Sequence, residues 1–532
     1  MENYDGIFIG GGHNALVCAA YMARSGQKVA VFESEAEIGG GASTREFVLP
    51  GYRSNMHANF FIGLDDFPIV HDLDLTKYGF SWVTPEVQHA NLFRDGSAIV
   101  LHRDAEKSAK SIARFSEKDA KTFRELHQRY AVELAPLLRR FLFHTPLPPE
   151  EIAERIKGEK GRELLAFAPM TISSAIDAHF EHEKLRTLFK LFAHAITVED
   201  MPGTGMFLPS LFSTQTTLGL PIGGALELPR ALEKLITSLG GEVRRNSQVR
   251  EIFRDGGRAA GVVLDDGTRY GATKFVASGL NAPASVRLAG EDAFPDEVNE
   301  KMKNWDWGFH SLMTLHVALS ERPVYAAEKF DPDVGECFNI IFGADSDADV
   351  INNANERRAG KLPSQPMGNG SCNSQFDPTY APKGGHVAFW WPGAPYSIEG
   401  QGPEKWDDIK DGLAEDLVGV WREFAPNMTE DVVRGAKLYT PHDITRGNAN
   451  MVDGAVRMGA YKKEQLGVNR PHPLLSGMRT PLEGFYLCGS SCQGGGLNGA
   501  PGYNAAGVIA EDMDLEKWWN PLPAPELAET AR

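Results

Sequence analysis

Cysteine is scarce in this chain: five residues, Cys18, Cys337, Cys372, Cys488 and Cys492, among 532. Their spacing forms neither a disulfide framework nor a zinc-ligand set, which excludes the small secreted scaffold and the zinc module. Basic residues are in deficit too. Lys and Arg number 54 against 71 Asp and Glu, a formal net charge of −17, and no basic stripe interrupts that balance. Such a chain has no electrostatic case for nucleic acid and no general attraction to an anionic bilayer. A local apolar patch is the one route left to a peripheral membrane contact. No apolar run approaches the roughly 20 residues that cross a bilayer, and no basic-then-apolar leader precedes the first strand. The expectation is a cytoplasmic protein with reduced thiols. Internal repeats and low-complexity tails are also absent.

What the chain has in quantity is glycine, 55 residues, concentrated near its two ends. Residues 5–9 read as a short buried strand, followed by Gly10, Gly11, Gly12, His13, Asn14 and Ala15, a helical pattern over 16–24, and a second strand over 28–32 closing at Glu33. This order of strand, glycine turn, helix, strand and acid is the fingerprint of a dinucleotide site. Gly10 permits the tight turn, Gly12 lets the backbone approach a pyrophosphate, and Ala15 allows close helix–strand packing. Phosphates meet the positive end of the helix. Glu33, 21 residues beyond Gly12, is placed to accept from ribose hydroxyls. Just behind comes G-G-G-A-S-T-R, Gly39 to Arg45, which brings backbone N–H groups and Arg45 toward the same dinucleotide.

The middle departs from this domain twice. Residues 102–147 and 151–192 read as charged, periodic helices, suited to a cap over a cavity. His179, His182 and His194 fall there without a metal-ligand spacing, so no metal is expected. The αβ pattern returns with Gly223 and Gly224, a helix over 226–239, strands over 243–245 and 248–254, a hairpin of 261–264 and 268–270, and a further strand over 274–277. A second excursion starts near Pro283, with strands over 311–319, 336–342 and 386–391, a loop over 361–385, and a helix over 413–424. The C-terminal part then repeats the opening chemistry. A strand over 485–488 meets Gly489, and C-Q-G-G-G-L-N-G-A-P-G-Y-N-A-A, Cys492 to Ala506, leads into a helix beginning near Gly502 or Tyr503. Cys488 and Cys492 read as a buried thiol and a site-lining residue in preference to a redox pair. Trp518 and Trp519 read as aromatics packed on a neighbouring surface.

The blocks G-G-G-H-N-A-L, Glu33 and I-G-G-G-A-S-T-R resemble the FAD-binding segments of phytoene-desaturase-like flavoproteins. Residues 470–491, R-P-H-P-L-L-S-G-M-R-T-P-L-E-G-F-Y-L-C-G-S-S, resemble the branch known as pyridine nucleotide-disulfide oxidoreductase domain 2-like, as do T-P-H-D-I and D-P-T-Y-A-P-K-G. The resemblance implies an α/β and α+β chain: a glutathione-reductase-type, FAD-binding Rossmann domain interrupted by a mixed substrate domain. The expected division is 1–75, 223–285 and 470–515 for FAD, 76–222 and 286–469 for substrate and cap, and 516–532 as an extension. By the same resemblance Gly10, Gly12, Asn14, Ala15, Glu33, Gly40 and Arg45 belong to the cofactor site. Val249 would offer a backbone contact to adenine, Gly489 and Ser490 would lie by the phosphate or ribityl chain, and Gly496, Gly499, Gly502 and Tyr503 would lie where the chain passes the flavin.

The implied activity is dehydrogenation of a small or medium apolar substrate, carbonyl-containing ones included, by hydride transfer to flavin N5. Oxygen or a quinone is the expected acceptor. Gly203 and Gly205 do not make a second dinucleotide fingerprint, so no stably bound NAD(P)H is expected. Tyr52, His57, His442 and Gln493 are the candidates for chemistry or substrate orientation, though hydrogen-bonded core residues would look the same. The alternatives are an amine oxidase, a carotenoid-type desaturase or isomerase, and a flavin-bearing interaction protein without turnover.

Overall fold

The chain leaves one sheet for another twice and returns twice, as a computed structural model describes it for residues 1–195, 200–309, 311–494 and 496–523; the side chain of His194 lies outside the described set. In chain order the first domain opens with β1 (Glu2–Ile9), α1 (His13–Arg24) and β2 (Val29–Phe32). The first excursion carries β3 (Val87–Leu92), β4 (Ala98–His102) and the helices α2 (Ala105–Ala113), α3 (Glu117–Leu126), α4 (Ala135–Leu142), α5 (Glu183–Ala195) and α6 (Leu208–Thr214). The return is α7 (Glu227–Ser238), β5 (Glu242–Arg244), β6 (Val249–Asp255), β7 (Arg258–Leu264) and β8 (Arg269–Ser278). The second excursion is β9 (Thr314–Leu319), β10 (Asn339–Phe342), β11 (Gly368–Ser371), β12 (His386–Ala394), α8 (Lys405–Phe424) and β13 (Val433–Tyr439). β14 (Phe485–Leu487) and α9 (Ala500–Asp512) close the path.

The first sheet has seven strands in the order β5-β2-β1-β8-β7-β6, with β14 beside the C-terminal half of β8. Its β5, β2, β1, β8 and β14 are parallel, and β6 to β8 form an antiparallel meander. Strands β1 and β2 are apolar on both faces, as parallel strands covered by helices must be: Ile7, Phe8 and Val29 to Phe32 are all buried. Helix α1, H-N-A-L-V-C-A-A-Y-M-A-R, is buried over nearly its whole length because α7 and α9 flank it. Its small residues admit that crowding. Gly502 of α9 sits where a Cβ would fall 2.0 Å from the Asn14 carbonyl oxygen, so no larger residue fits there without parting the helices.

The second sheet has eight strands in the order β13-β9-β12-β11-β10-β3-β4, the short strand Ser311–Leu312 pairing with the end of β12. One face, with Leu315, Phe342 and Trp390, packs on α8 through Trp421 and Phe424. The helical cap has its own core, including Phe123, Phe189 and Phe212. Helices α3 and α4 are joined through eight π-helical residues, His127–Leu134.

Three sequence expectations need correction. Residues 268–270 and 274–277 are one ten-residue strand, β8, because β1 pairs along almost its whole length. The expected loop over 361–385 contains β11, Gly-Asn-Gly-Ser, a composition with little strand propensity. Tertiary packing wins there: a Cβ on Gly368 or Gly370 would come within 2.0 or 2.2 Å of a β12 carbonyl. The last helix starts at Ala500, whose N–H donates to Asn498 Oδ1 at 3.0 Å. Among the described residues, no helix is long and apolar enough to cross a membrane.

Candidate active site

The glycine turn after β1 forms an open cradle. Gly10 adopts φ +87°, a conformation that L-residues rarely take, and Gly12 points its missing Cβ into space with no protein atom within 4 Å. No acidic residue occupies the first turn of α1, so its positive end is left for an anion. Glu33 closes the far side. Its carboxylate accepts from Gly11 N at 2.6 Å, Glu35 N at 2.9 Å and Ser34 Oγ at 3.0 Å, which still leaves acceptor capacity for a ribose hydroxyl. Ser247 N donates to the Glu33 carbonyl at 2.7 Å, which brings Val249, the first residue of β6, beside the same edge. Gly39 N donates to Gly11 O at 2.8 Å, laying the second glycine run, with Gly40, against the first. Ala15 packs on Gly279, where a Cβ would fall 2.7 Å from its own.

The C-terminal glycines close over this cradle. Asn14 Nδ2 donates to Ser490 Oγ at 2.8 Å, and Asn14 Oδ1 is buried without a partner. Gly489 has room for no side chain, lying against the Leu280 and Gly279 carbonyls, whereas Gly496 faces open space. Gly499 caps α9 in the left-handed region at φ +74°. Tyr503 faces away from the cavity into an aromatic cluster with Tyr21 and Phe143, and its hydroxyl accepts from Leu522 N at 3.2 Å. Trp518 and Trp519 pack on the same Tyr21 ring, at 5.2 and 4.9 Å.

From the cradle a cavity runs into the second domain. His13, Gly41, Ser490 and Gly496 form its cofactor end; Phe60, Phe61, Phe192, Leu312 and Trp391 form its apolar wall; Met451, Arg457 and Tyr461 close one side. Among the described residues the lining contains no carboxylate. His57 also lines it, with Nδ1 unpartnered; burial, then the Arg45 charge, holds its pKa down to about 4. His13 is likewise held down to about 4 by burial, with Nε2 unpartnered. Both rings are therefore neutral at pH 7. Arg45 itself is exposed on a short strand, Thr44–Glu46, close enough to bias His57 and Tyr439.

The other candidates lie outside the lining. Tyr52 is 4% exposed, and its hydroxyl accepts from Arg434 at 2.7 Å. His442 sits on the short helix Pro441–Gly447 with Nδ1 3.7 Å from Asp407. Gln493 spends its amide on the end of α4, donating to the carbonyls of Phe141, Leu142 and His144 at 3.1, 2.8 and 3.0 Å. Cys488 and Cys492 are both free and fully buried, and burial pushes the Cys492 thiol up to about 12. Sequence reasoning missed the aromatic wall, which gathers from separated segments and carries no local motif. It also missed Arg470, buried with its guanidinium donating to the carbonyls of Arg457 at 2.9 Å and Ser490 at 3.3 Å, which ties the cavity loop to the cradle.

A family model described as flavin containing amine oxidoreductase matches residues 16–509. The chain is similar to one of the polypeptides of limonene dehydrogenase from Castellaniella defragrans, 32% identical over 537 residues, which cover 98% of this chain and 96% of that protein. It is 29% identical over 552 residues to pyridine nucleotide-disulfide oxidoreductase domain-containing protein 2 of Rattus norvegicus, 96% of this chain and 94% of that one. A solved oxidoreductase from Methanosarcina mazei shares the fold with a TM-score of 0.60 at 16% identity, over 96% of this chain and 99% of that one. These matches widen the branch expected from sequence to a larger family. They also speak more directly for the alternatives, amine oxidation among them, than for desaturation of a small or medium apolar substrate. The fold is an FAD-binding Rossmann-type domain with an inserted β/α substrate domain, and the open cradle at Gly12, the spare acceptor capacity of Glu33 and the unpartnered Asn14 Oδ1 fit its FAD cofactor. The chain is an FAD-dependent oxidoreductase and belongs to the flavin containing amine oxidoreductase family.

Proposed function

We propose that the protein dehydrogenates a small or medium apolar substrate to form a C=C bond, with oxygen or a quinone as electron acceptor, in the reducing cytoplasm where its five thiols stay free. The observation that carries this reading is the continuity of the cavity from the glycine cradle to a wall of Phe60, Phe61, Phe192 and Trp391. Bound FAD supplies the two-electron oxidant. The aromatic wall holds a hydrocarbon by dispersion and excludes water. His57, neutral and unpartnered at Nδ1, is the group that takes the proton released as the double bond forms. The residues assigned to FAD are the glycines at 10, 12, 40, 489, 496, 499 and 502 with Asn14, Ala15, Glu33, Arg45, Val249 and Ser490.

Amine oxidation is the second reading, favoured by the family match. Against it, an ammonium entering this cavity meets Arg457 and no carboxylate among the described lining residues. Anaerobic mixing separates the two. Limonene should bleach the bound flavin while benzylamine and putrescine leave it oxidised. Bleaching by an amine alone would overturn the dehydrogenase reading.

A further inference from the structure

One wall of the cavity is polar in a directed way. Asn369 lies in β11, opposite Ile341 of β10 and Trp391 of β12. It is 3% exposed and lines the cavity between apolar neighbours, Phe192, Leu312 and Trp391. Its Nδ2 donates to Asn339 Oδ1 at 3.0 Å, and Asn339 Nδ2 in turn reaches His89 Nδ1 at 2.9 Å. The three side chains share one face of the sheet, because Asn339 pairs with His89 and Ile341 with Asn369.

The polarity of this chain is set at its far end. The Asn339 amide nitrogen can only donate, so His89 Nδ1 accepts from it, and His89 Nε2 is buried without a hydrogen-bond partner. Burial dominates and holds the His89 pKa down to about 3, leaving a neutral ring with a single N–H. With Nδ1 engaged by Asn339, that N–H is on Nε2, and Nδ1 is an acceptor. Asn339 must then present its NH₂ to His89 and its oxygen to Asn369, and Asn369 must present its NH₂ to Asn339. What remains for the cavity is Asn369 Oδ1, an acceptor that receives no hydrogen bond from the described residues. On the adjacent strand, Trp391 Nε1 is buried and has no partner.

We propose that Asn369 and Trp391 form a hydroxyl-recognition subsite, so that the substrate is an apolar molecule bearing one alcohol group whose O–H donates to Asn369 Oδ1. The inference rests on the apolar-substrate reading above and narrows it. A ketone or aldehyde would set its oxygen against the Asn369 oxygen, acceptor to acceptor. An ammonium would donate to Asn369 but would bring a charge into a lining that contains Arg457 and no carboxylate among the described residues.

The test uses the FAD-loaded protein and three probes of one shape: p-cymene, 4-isopropylbenzyl alcohol and 4-isopropylbenzylamine. Their binding is read from the perturbed flavin spectrum. The alcohol should bind about tenfold tighter than p-cymene or better, which corresponds to one satisfied buried hydrogen bond. Asn369→Leu should bring the alcohol to the affinity of p-cymene while p-cymene itself binds as before, and retention of the flavin spectrum reports that the variant is folded. Asn339→Leu, which frees the Asn369 amide to turn, should also erode the preference for the alcohol without altering the binding of p-cymene. Equal affinity for alcohol and hydrocarbon in the parent, or a preference that survives Asn369→Leu, overturns the subsite and leaves the apolar-substrate reading standing. Tightest binding by the amine overturns the subsite in favour of an amine donor. If none of the three perturbs the flavin, the apolar-substrate reading falls and takes the subsite with it.

Discussion

Asn14 Nδ2 donates to Ser490 Oγ at 2.8 Å, joining the opening helix to the last strand-turn across 476 positions of sequence. The bond ties the two glycine segments that enclose the cradle. Asn14→Leu should weaken FAD binding several-fold, the loss of one hydrogen bond worth about 1 kcal/mol. Titration of the apoprotein with FAD measures it, and unchanged affinity would show that the segments are held together without this pair.

Glu33 offers a stronger test of the cofactor site. Its three donors fix the carboxylate at the edge of the turn. Glu33→Gln removes the charge from the Gly11 contact and from any ribose contact, a loss of about 1.5–3 kcal/mol, which should raise the FAD dissociation constant by more than tenfold. A variant that binds FAD as tightly as the parent would take the ribose role away from Glu33.

The electron acceptor is testable without knowing the substrate. Photoreduced protein mixed anaerobically with NAD⁺ should stay reduced, while oxygen or a short-chain quinone should restore the oxidised flavin spectrum. Rapid recovery with NAD⁺ alone would reverse this expectation.

Acid should destabilise the protein before the carboxylates titrate. His13 and His57 are held down to about 4, and His89 and His316 to about 3, in each case chiefly by burial, against an ordinary value of 6.5. Below pH 6.5 the unfolded chain takes up protons that the folded chain refuses, so stability is full above that pH and falls as the pH drops toward 4. The Tm of the FAD-loaded protein should decline steadily from pH 7 to pH 5. A flat profile over that interval would mean that these rings gain protons without unfolding.

Gln493 should act on stability rather than on the reaction. Its side chain satisfies three carbonyls at the end of α4 and accepts from Asn504. Gln493→Leu takes this donor from the Phe141 and His144 carbonyls, while Leu142 O keeps Asn504 Nδ2, and should destabilise the protein by about 1–3 kcal/mol in urea while the rate of flavin reduction by substrate is kept. A variant of unaltered stability with slowed reduction would return Gln493 to the chemistry.

The nucleotide domain was legible because its function is written in backbone. A tight turn, a close approach and an acid at the end of β2 demand particular residues at Gly10, Gly12 and Glu33, in one short stretch. The substrate domain makes no such local demand. Residues of β11, Gly368 to Ser371, have the composition of a loop and become a strand only because β10 and β12 lie on either side. Phe60, Phe192 and Trp391 meet in the cavity from three separate segments, each indistinguishable in sequence from a core aromatic. Tyr52 and His442 drew notice as polar residues near recognisable motifs, yet Arg434, which donates to Tyr52, and Asp407, 3.7 Å from His442 Nδ1, come from other segments and could not be anticipated.

The pairing of Asn14 with Ser490 also dictates when the protein can acquire its cofactor during synthesis. The fingerprint helix leaves the ribosome long before the lid that closes on it and the strand Phe485–Leu487 that completes its sheet. For most of that interval the growing chain carries half a site, with the open end of α1 exposed to water. Loading should therefore wait until the segment around Ser490 has been made and has folded back onto α1. Ribosome-bound chains arrested before residue 485 should recruit no FAD, however complete their N-terminal fingerprint.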